Sequence, residues 1–303
     1  MKIGFIGLGN MGLPMALNLL KNRKFDVMGY DINPYSLRKF KKNRGKISKS
    51  LKEIINFSDV IITCLPGPKQ IQKVAFGKNK IIKNIGIKKI WIDCSTNSLK
   101  CCALIKKRLG KNSKYFLDAP MSGGSTRAKS GELSIYVGGD KKIFSKVKII
   151  FNTIGKLIYY LGSSGAGYAT KIAQVSLCYL SYLSLSEALM LGVKSGANPK
   201  TMLEIINNSA SGSFTSKKYG PNMVNGNYDR SFALGLSYKD LTLANDIIRK
   251  EKIRLPITEL TTKIYRKALE KYGPKANHLK AIRLMEENNK LFFQTIKKRE
   301  GNK

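Results

Sequence analysis

A chain of 303 residues with 43% hydrophobic content is long enough to bury two cores, which excludes a disordered chain or a small disulfide-stapled module. Its 55 basic against 19 acidic residues give a formal charge of +36, a balance that raises nucleic acid as a partner. The lysines are spread along the whole chain, as in Lys39-Phe40-Lys41-Lys42 and Ile81-Ile82-Lys83-Asn84, without any helix-turn-helix, zinc-finger or aromatic RNA-binding signature, so they read as solvated surface charge.

The five cysteines, Cys64, Cys94, Cys101, Cys102 and Cys178, form an odd set without Cys-x-x-Cys spacing; neither a disulfide framework nor a metal site is expected. Patterned sequence starts at Met1-Lys2-Ile3 with no secretory leader, so a cytoplasmic protein is expected.

In chain order, Lys2–Gly7, Phe25–Tyr30, Asp59–Leu65, Lys89–Asp93 and Tyr115–Asp118 are predicted strands with amphipathic segments between them. That rhythm specifies an α/β fold with a parallel, doubly wound Rossmann-type sheet. Ser134–Gly138 and Leu157–Leu161, on either side of a helix from Lys141 to about Asn152, are expected to extend the same sheet and to close a first domain of residues 1–163. Tyr168–Val193 is apolar enough to suggest a membrane span, but Lys171, Gln174, several serines and Glu187 punctuate it. It is therefore predicted as a long helix buried between domains or against a partner subunit. Pro199–Asn207, Leu241–Lys252, Thr258–Tyr272 and Leu279–Lys297 carry helical periodicity, so the second domain, 164–303, is expected to be all-α.

Gly7-Leu8-Gly9-Asn10-Met11-Gly12 is a G-x-G-x-x-G placed between a predicted strand and the helical pattern Met11–Leu20. Gly7 suits a tight turn, Gly9 close approach to a pyrophosphate, and Gly12 close packing of helix on strand, with the phosphates held at the helix N-terminus. Asp31, nineteen positions after Gly12, is placed to accept hydrogen bonds from ribose hydroxyls, which favours NAD; the nearby Arg38 and lysines leave NADP open. Ser122-Gly123-Gly124 follows a predicted strand and could be a plain turn, or a cradle in which the hydroxyl and two accessible amides hold a substrate carboxylate.

These motifs lie in a recognisable order. Phe5-Ile6-Gly7-Leu8-Gly9-Asn10-Met11-Gly12-Leu13-Pro14-Met15-Ala16, Leu65-Pro66, Asp93-Cys94-Ser95-Thr96, Asp118-Ala119-Pro120-Met121-Ser122-Gly123-Gly124, Gly165-Ala166-Gly167 leading to Lys171, and Lys239-Asp240-Leu241 together resemble the β-hydroxyacid dehydrogenases over nearly the whole chain. The resemblance implies a Rossmann-type domain, a long interdomain helix and an all-helical second domain, in a homodimer or homotetramer. It also implies that Leu65, Pro66 and Thr96 lie against the nicotinamide half of the cofactor, that Lys239 contributes to cofactor binding, and that Lys171 is the proton-transfer residue. On the residues alone, Leu65-Pro66 could simply end a strand, Thr96 could cap a helix, and Lys171 could solvate one. His278, the one histidine, lies far in sequence from both glycine motifs.

The chain departs from the family where an asparagine is usual one turn after the lysine. Here stand Gln174 and Val175, and Gln174, on nearly the same helix face as Lys171, is the candidate to supply the substrate-binding amide. The expected activity is reversible oxidation of a small 3-hydroxy acid to its semialdehyde with NAD, 3-hydroxyisobutyrate first. Tartronate semialdehyde reduction is the alternative: Gly226–Leu236 is short for the animal type of 3-hydroxyisobutyrate dehydrogenase, and Gly165-Ala166-Gly167 together with His278-Leu279-Lys280-Ala281-Ile282 resemble the reductases. A rival of another class is an inactive nucleotide-binding interaction module, motivated by Val175 and the charge.

Overall fold

Short, mostly apolar runs form the strands of the main sheet, and Asn33, Ser50, Ser98 and Asp140 cap the helices that follow them through side-chain bonds to their first-turn amides. The computed structural model describes residues 1–77, 80–85, 89–228 and 232–294, and the chain divides into two units, Met1–Lys171 and Ile172–Lys303. The first unit runs β1 (Lys2–Ile6), α1 (Gly12–Lys21), β2 (Asp26–Tyr30), α2 (Pro34–Lys42), β3 (Lys46–Ile47), α3 (Leu51–Phe57), β4 (Val60–Thr63), α4 (Pro68–Ala75), α5 (Ile81–Asn84) and β5 (Ile90–Asp93). It continues with α6 (Leu99–Leu109), β6 (Phe116–Asp118), β7 (Met121–Ser122), α7 (Gly124–Ser130), β8 (Leu133–Val137), α8 (Lys141–Ile154), β9 (Gly155–Tyr160) and the start of α9 (Ala166–Lys194).

The main sheet is parallel with strand order β3-β2-β1-β4-β5-β6, the doubly wound arrangement that the alternating elements specify. Alternation along the strands sorts side chains onto two buried faces. Ile3, Phe5, Val60, Ile62, Ile90, Ile92 and Leu117 pack with α1 and α8, while Ile6, Ile61, Trp91 and Phe116 pack with α3, α4 and α6.

The expected extension of this sheet does not occur. Strands β7, β8 and β9 form a separate three-stranded sheet, tied to the first by a bridge from Asp118 to Gly138. Pro120 is the physical reason: it has no N–H to continue the ladder beyond β6, and its carbonyl instead accepts from Tyr136 N at 3.0 Å, turning the chain antiparallel to β8.

In the second unit α9 continues, followed by α10 (Pro199–Asn207), α11 (Phe214–Asn225), α12 (Leu234–Glu251), α13 (Pro256–Tyr272) and α14 (Lys280–Asn288). Val175, Tyr179, Tyr182, Leu189, Tyr265 and Ile282 are among its core residues. By length and composition α9 could cross a membrane, but within each unit it contributes buried side chains, Tyr168 to one core and the Val175–Val193 stripe to the other.

Sequence periodicity did not anticipate α11, because Gly220-Pro221 reads as a break. The helix survives through a reciprocal cap between Ser213 and Ser216 and through close packing of Gly220 on Leu203. Likewise α12 starts at Leu234 rather than Leu241, its first turn obscured in sequence by Gly235, which lies against Pro274. The last predicted helix stops at Asn288; the part of it assigned to residues 295–297, and positions 229–231 of the Gly226–Leu236 stretch, lie outside the described residues.

Candidate active site

The glycine-rich loop joins β1 to α1. A Cβ on Gly12 would stand 1.9 Å from the Gly7 carbonyl oxygen, and one on Gly7 would meet the Cys64 carbonyl at 2.3 Å, so packing alone dictates both glycines. Gly9 differs: nothing lies within 4 Å of the position its Cβ would take. The N-terminus of α1 carries neither a side-chain cap nor an acidic residue in its first turn. Open space over Gly9 beside an uncapped helix start is the arrangement a dinucleotide pyrophosphate requires, so these residues fit a nicotinamide cofactor.

Asp31 follows β2, and its carboxylate accepts from Leu8 N at 2.6 Å and Asn33 N at 2.7 Å, which fixes it beside the loop with lone pairs to spare. Leu65 and Pro66 follow β4, and Thr96 follows β5. Leu65 N donates to Ser95 Oγ at 2.8 Å, so these two segments are joined to each other at the carboxyl edge of the sheet.

Ser122 ends β7, and Gly123 and Gly124 open α7 with φ of 130° and 66°. Lys171, on the second turn of α9 and only 9% exposed, donates from Nζ to Ser122 Oγ at 2.9 Å. Two motifs forty-nine residues apart thus meet side chain to side chain. The helix start is seated tightly enough to ensure this: a Cβ on Gly167 would lie 2.3 Å from the Tyr136 carbonyl and 2.8 Å from an Asp118 carboxylate oxygen.

Comparison with known proteins identifies the family. Residues 2–162 match the model of the NAD-binding domain of 6-phosphogluconate dehydrogenase, and residues 165–285 that of the NAD-binding region of NADP-dependent 3-hydroxyisobutyrate dehydrogenase. The chain is 34% identical to 2-(hydroxymethyl)glutarate dehydrogenase of Eubacterium barkeri over 87% of its own length and 88% of that protein's. It is also 34% identical to mouse mitochondrial 3-hydroxyisobutyrate dehydrogenase, covering 87% and 81%, and 30% identical to the Escherichia coli 2-hydroxy-3-oxopropionate reductase, covering 94% and 97%. The chain belongs to the β-hydroxyacid dehydrogenase family. A solved Mycobacterium tuberculosis 3-hydroxyisobutyrate dehydrogenase with L-serine shares the fold at a TM-score of 0.84 and 24% identity, over 94% of this chain and 98% of that one. The protein is an NAD(P)-dependent hydroxyacid dehydrogenase acting on a small substrate. An inactive interaction module is thereby set aside.

In this dehydrogenase the two residues at the family's asparagine position differ in environment. Val175 is buried in the apolar core of the second unit with Tyr179 and Tyr182. Gln174 is half-buried and its Nε2 lies 3.4 Å from Cys178 Sγ. Elsewhere in that unit Lys239 pairs with the buried Asp240 at 2.8 Å, and Asp240 also accepts from Tyr179 OH at 2.9 Å. His278 is buried in an aromatic surround of Tyr182, Tyr219 and Phe232.

In the sequence Asp93 and Asp118 stand out only as parts of motifs and Tyr168 only as the start of an apolar run; the structure makes them the polar centre of the dehydrogenase's first unit. The ladder register sets Thr63, Asp93 and Asp118 in one row across β4, β5 and β6, on the same buried face. Asp93 accepts from Thr63 Oγ1 (2.8 Å), Ser95 N (3.0 Å), Asn97 Nδ2 (3.2 Å) and Tyr168 OH (2.5 Å). Burial raises both carboxyls above the usual range, and the hydrogen bonds that each accepts offset only part of that rise. The available signal was a carboxylate ending an otherwise apolar strand, in Ile90-Trp91-Ile92-Asp93 and again in Phe116-Leu117-Asp118. Burial also raises the Cys64 thiol to about 12, which keeps it protonated beside the glycine loop.

Proposed function

We propose that this protein interconverts a small 3-hydroxy acid and its semialdehyde, with 3-hydroxyisobutyrate as first substrate and 2-hydroxy-3-oxopropionate (tartronate semialdehyde) as the next. The contact of Lys171 Nζ with Ser122 Oγ beside Gly123-Gly124 carries this reading, because it sets a proton-transfer group against a carboxylate cradle. The names of the relatives share one chemistry: each acid, or its reduced form, carries a primary alcohol one carbon from the carboxylate-bearing carbon.

The Ser122 hydroxyl and the amides of Gly123 and Gly124 hold the substrate carboxylate. In oxidation Lys171 takes the hydroxyl proton as the carbon gives up its hydride, and it returns that proton in reduction. Bound at Gly7, Leu8, Gly9, Asn10, Met11 and Gly12, with Asp31, Leu65, Pro66, Thr96 and Lys239 as further contacts, the nicotinamide cofactor supplies the hydride acceptor or donor. Asp31 sets the preference for NAD, since a 2′-phosphate would face its carboxylate. A cytoplasmic homodimer or homotetramer completes the proposal; an oligomer built on α9 would cover Leu177 and Leu191, which are 64% and 75% exposed.

The test is a turnover assay following reduced nicotinamide, with NAD and NADP against 3-hydroxyisobutyrate, glycerate, 3-hydroxypropionate and 4-hydroxybutyrate. Turnover of the first is expected, with kcat/KM at least about tenfold higher with NAD. Preference for glycerate would reassign the substrate, and preference for NADP would overturn the role of Asp31.

Gln174 lies one turn past Lys171 on α9, and its amide is proposed to bind substrate. Replacing it by alanine is expected to raise the hydroxy acid's KM about tenfold while leaving the KM for NAD unchanged, the cost of one lost polar contact. An unchanged substrate KM in initial-rate kinetics would remove Gln174 from the site.

A further inference from the structure

Tyr168 is held at both ends by the carboxylate row of the first unit. Its backbone N–H donates to Asp118 Oδ2 at 3.2 Å, alongside Gly165 N to Asp118 Oδ1 at 2.7 Å, so one carboxylate caps the start of α9. Its phenol, fully buried, reaches Asp93 Oδ2 at 2.5 Å. Lys171 follows three residues later, on the adjacent turn of the same helix.

The same Asp93 organises the opposite side of the site. Its Oδ1 accepts from Ser95 N, and Ser95 Oγ accepts from Leu65 N, so the segments bearing Leu65, Pro66 and Thr96 share an anchor with the helix that bears Lys171. Trp91 Nε1 donates to Thr63 Oγ1 at 3.0 Å, which directs the threonine's own proton to Asp93 Oδ1. The groups of Thr63, Ser95, Asn97 and Tyr168 that hydrogen-bond this carboxylate therefore all act as donors to it.

We propose that Tyr168, through its bond to Asp93, is a positioning residue for Lys171. The phenol fixes the first turn of α9 against the strand row, and thereby fixes the lysine amine relative to Ser122 and to the segments after β4 and β5. A plain buried tyrosine would need only some acceptor. Here the acceptor is the one group also joined to the other half of the site, so loosening the bond misaligns the proton-transfer group without unfolding the sheet. The proposal rests on the reading that Lys171 moves the proton.

The experiment compares Tyr168→Phe, Lys171→Ala and Ile150→Val, the last a core change on the other face of the sheet that matches a modest loss of stability without touching the row. Each is assayed below its melting temperature. Tyr168→Phe is expected to lower kcat about tenfold, with KM for substrate and Kd for NAD unchanged, while Ile150→Val leaves kcat within about twofold. A normal kcat in Tyr168→Phe alongside an inactive Lys171→Ala overturns the positioning role alone. Near-normal turnover of Lys171→Ala overturns the underlying reading and the positioning role with it. If Tyr168→Phe melts below the assay temperature, Asp93→Asn, which replaces the phenol's charged acceptor with a neutral amide, takes its place. It is expected to lower kcat about threefold at constant KM, and an unchanged kcat there likewise overturns the proposal.

Discussion

Lys171→Ala is expected to lower kcat about 1,000-fold while NAD binds as before, the range of effect that removal of a positioned proton-transfer group produces. The substitution takes away the amine that contacts Ser122 and leaves the glycine-rich loop intact. Loss in kcat with an unchanged Kd for NAD, measured by protein fluorescence quenching, separates chemistry from binding. Lys171→Arg sharpens the test. A guanidinium keeps the positive charge and the capacity to donate to Ser122, but it cannot release its proton at neutral pH. If Lys171 served only to attract the carboxylate, Arg would restore most of the activity. As a proton-transfer group it would not, so equal loss in both variants is the expected result, and near-wild-type rates with either would end the assignment.

How far the sequence alone could carry this site depends on what kind of constraint acts on each residue. Gly7, Gly9 and Gly12 were legible because their chemistry is local: a strand, a turn and a helix start within twelve residues define what they do. The parallel, doubly wound class of the sheet was legible for the same reason, since apolar strands alternating with amphipathic helices leave few topologies; its short edge strand Lys46–Ile47 was not. The separate three-stranded sheet was not. Its strands carry the same alternation as those of the main sheet, and only Pro120 and the Asp118–Gly138 bridge decide which edge they join.

The Asp93–Tyr168 contact was hidden for a different reason. It spans seventy-five residues and depends on register across parallel strands, which side-chain periodicity does not encode. Tyr168 stands in an apolar helical run where an aromatic residue reads as core. It is core, and its hydroxyl is what the sequence could not place. Lys171 itself emerged only by resemblance to a family; its meeting with Ser122 supplies the geometric reason.

The glycine loop offers a second large effect, in which neighbouring substitutions separate fold from function. Gly12→Ala puts a methyl 1.9 Å from the Gly7 carbonyl oxygen, a backbone atom that moves only if α1 shifts off β1. A loss of about 3 kcal/mol is expected, or roughly 6–12 °C in the melting temperature of a unit this size, with cofactor binding lost as a consequence. Gly9→Ala meets nothing within 4 Å. The apoprotein should melt at or slightly above the wild-type temperature, because alanine restricts the unfolded chain. Its Kd for NAD should nevertheless rise about 100-fold, since the methyl stands where the pyrophosphate must approach the backbone. Thermal melts of both apoproteins, followed by NAD titration, decide the matter. If Gly9→Ala binds NAD as tightly as the wild type, the open space above the loop is not the phosphate cradle. If instead it is stable and fails to bind, the vacancy over Gly9 is maintained for the cofactor and not by the packing that dictates Gly7 and Gly12.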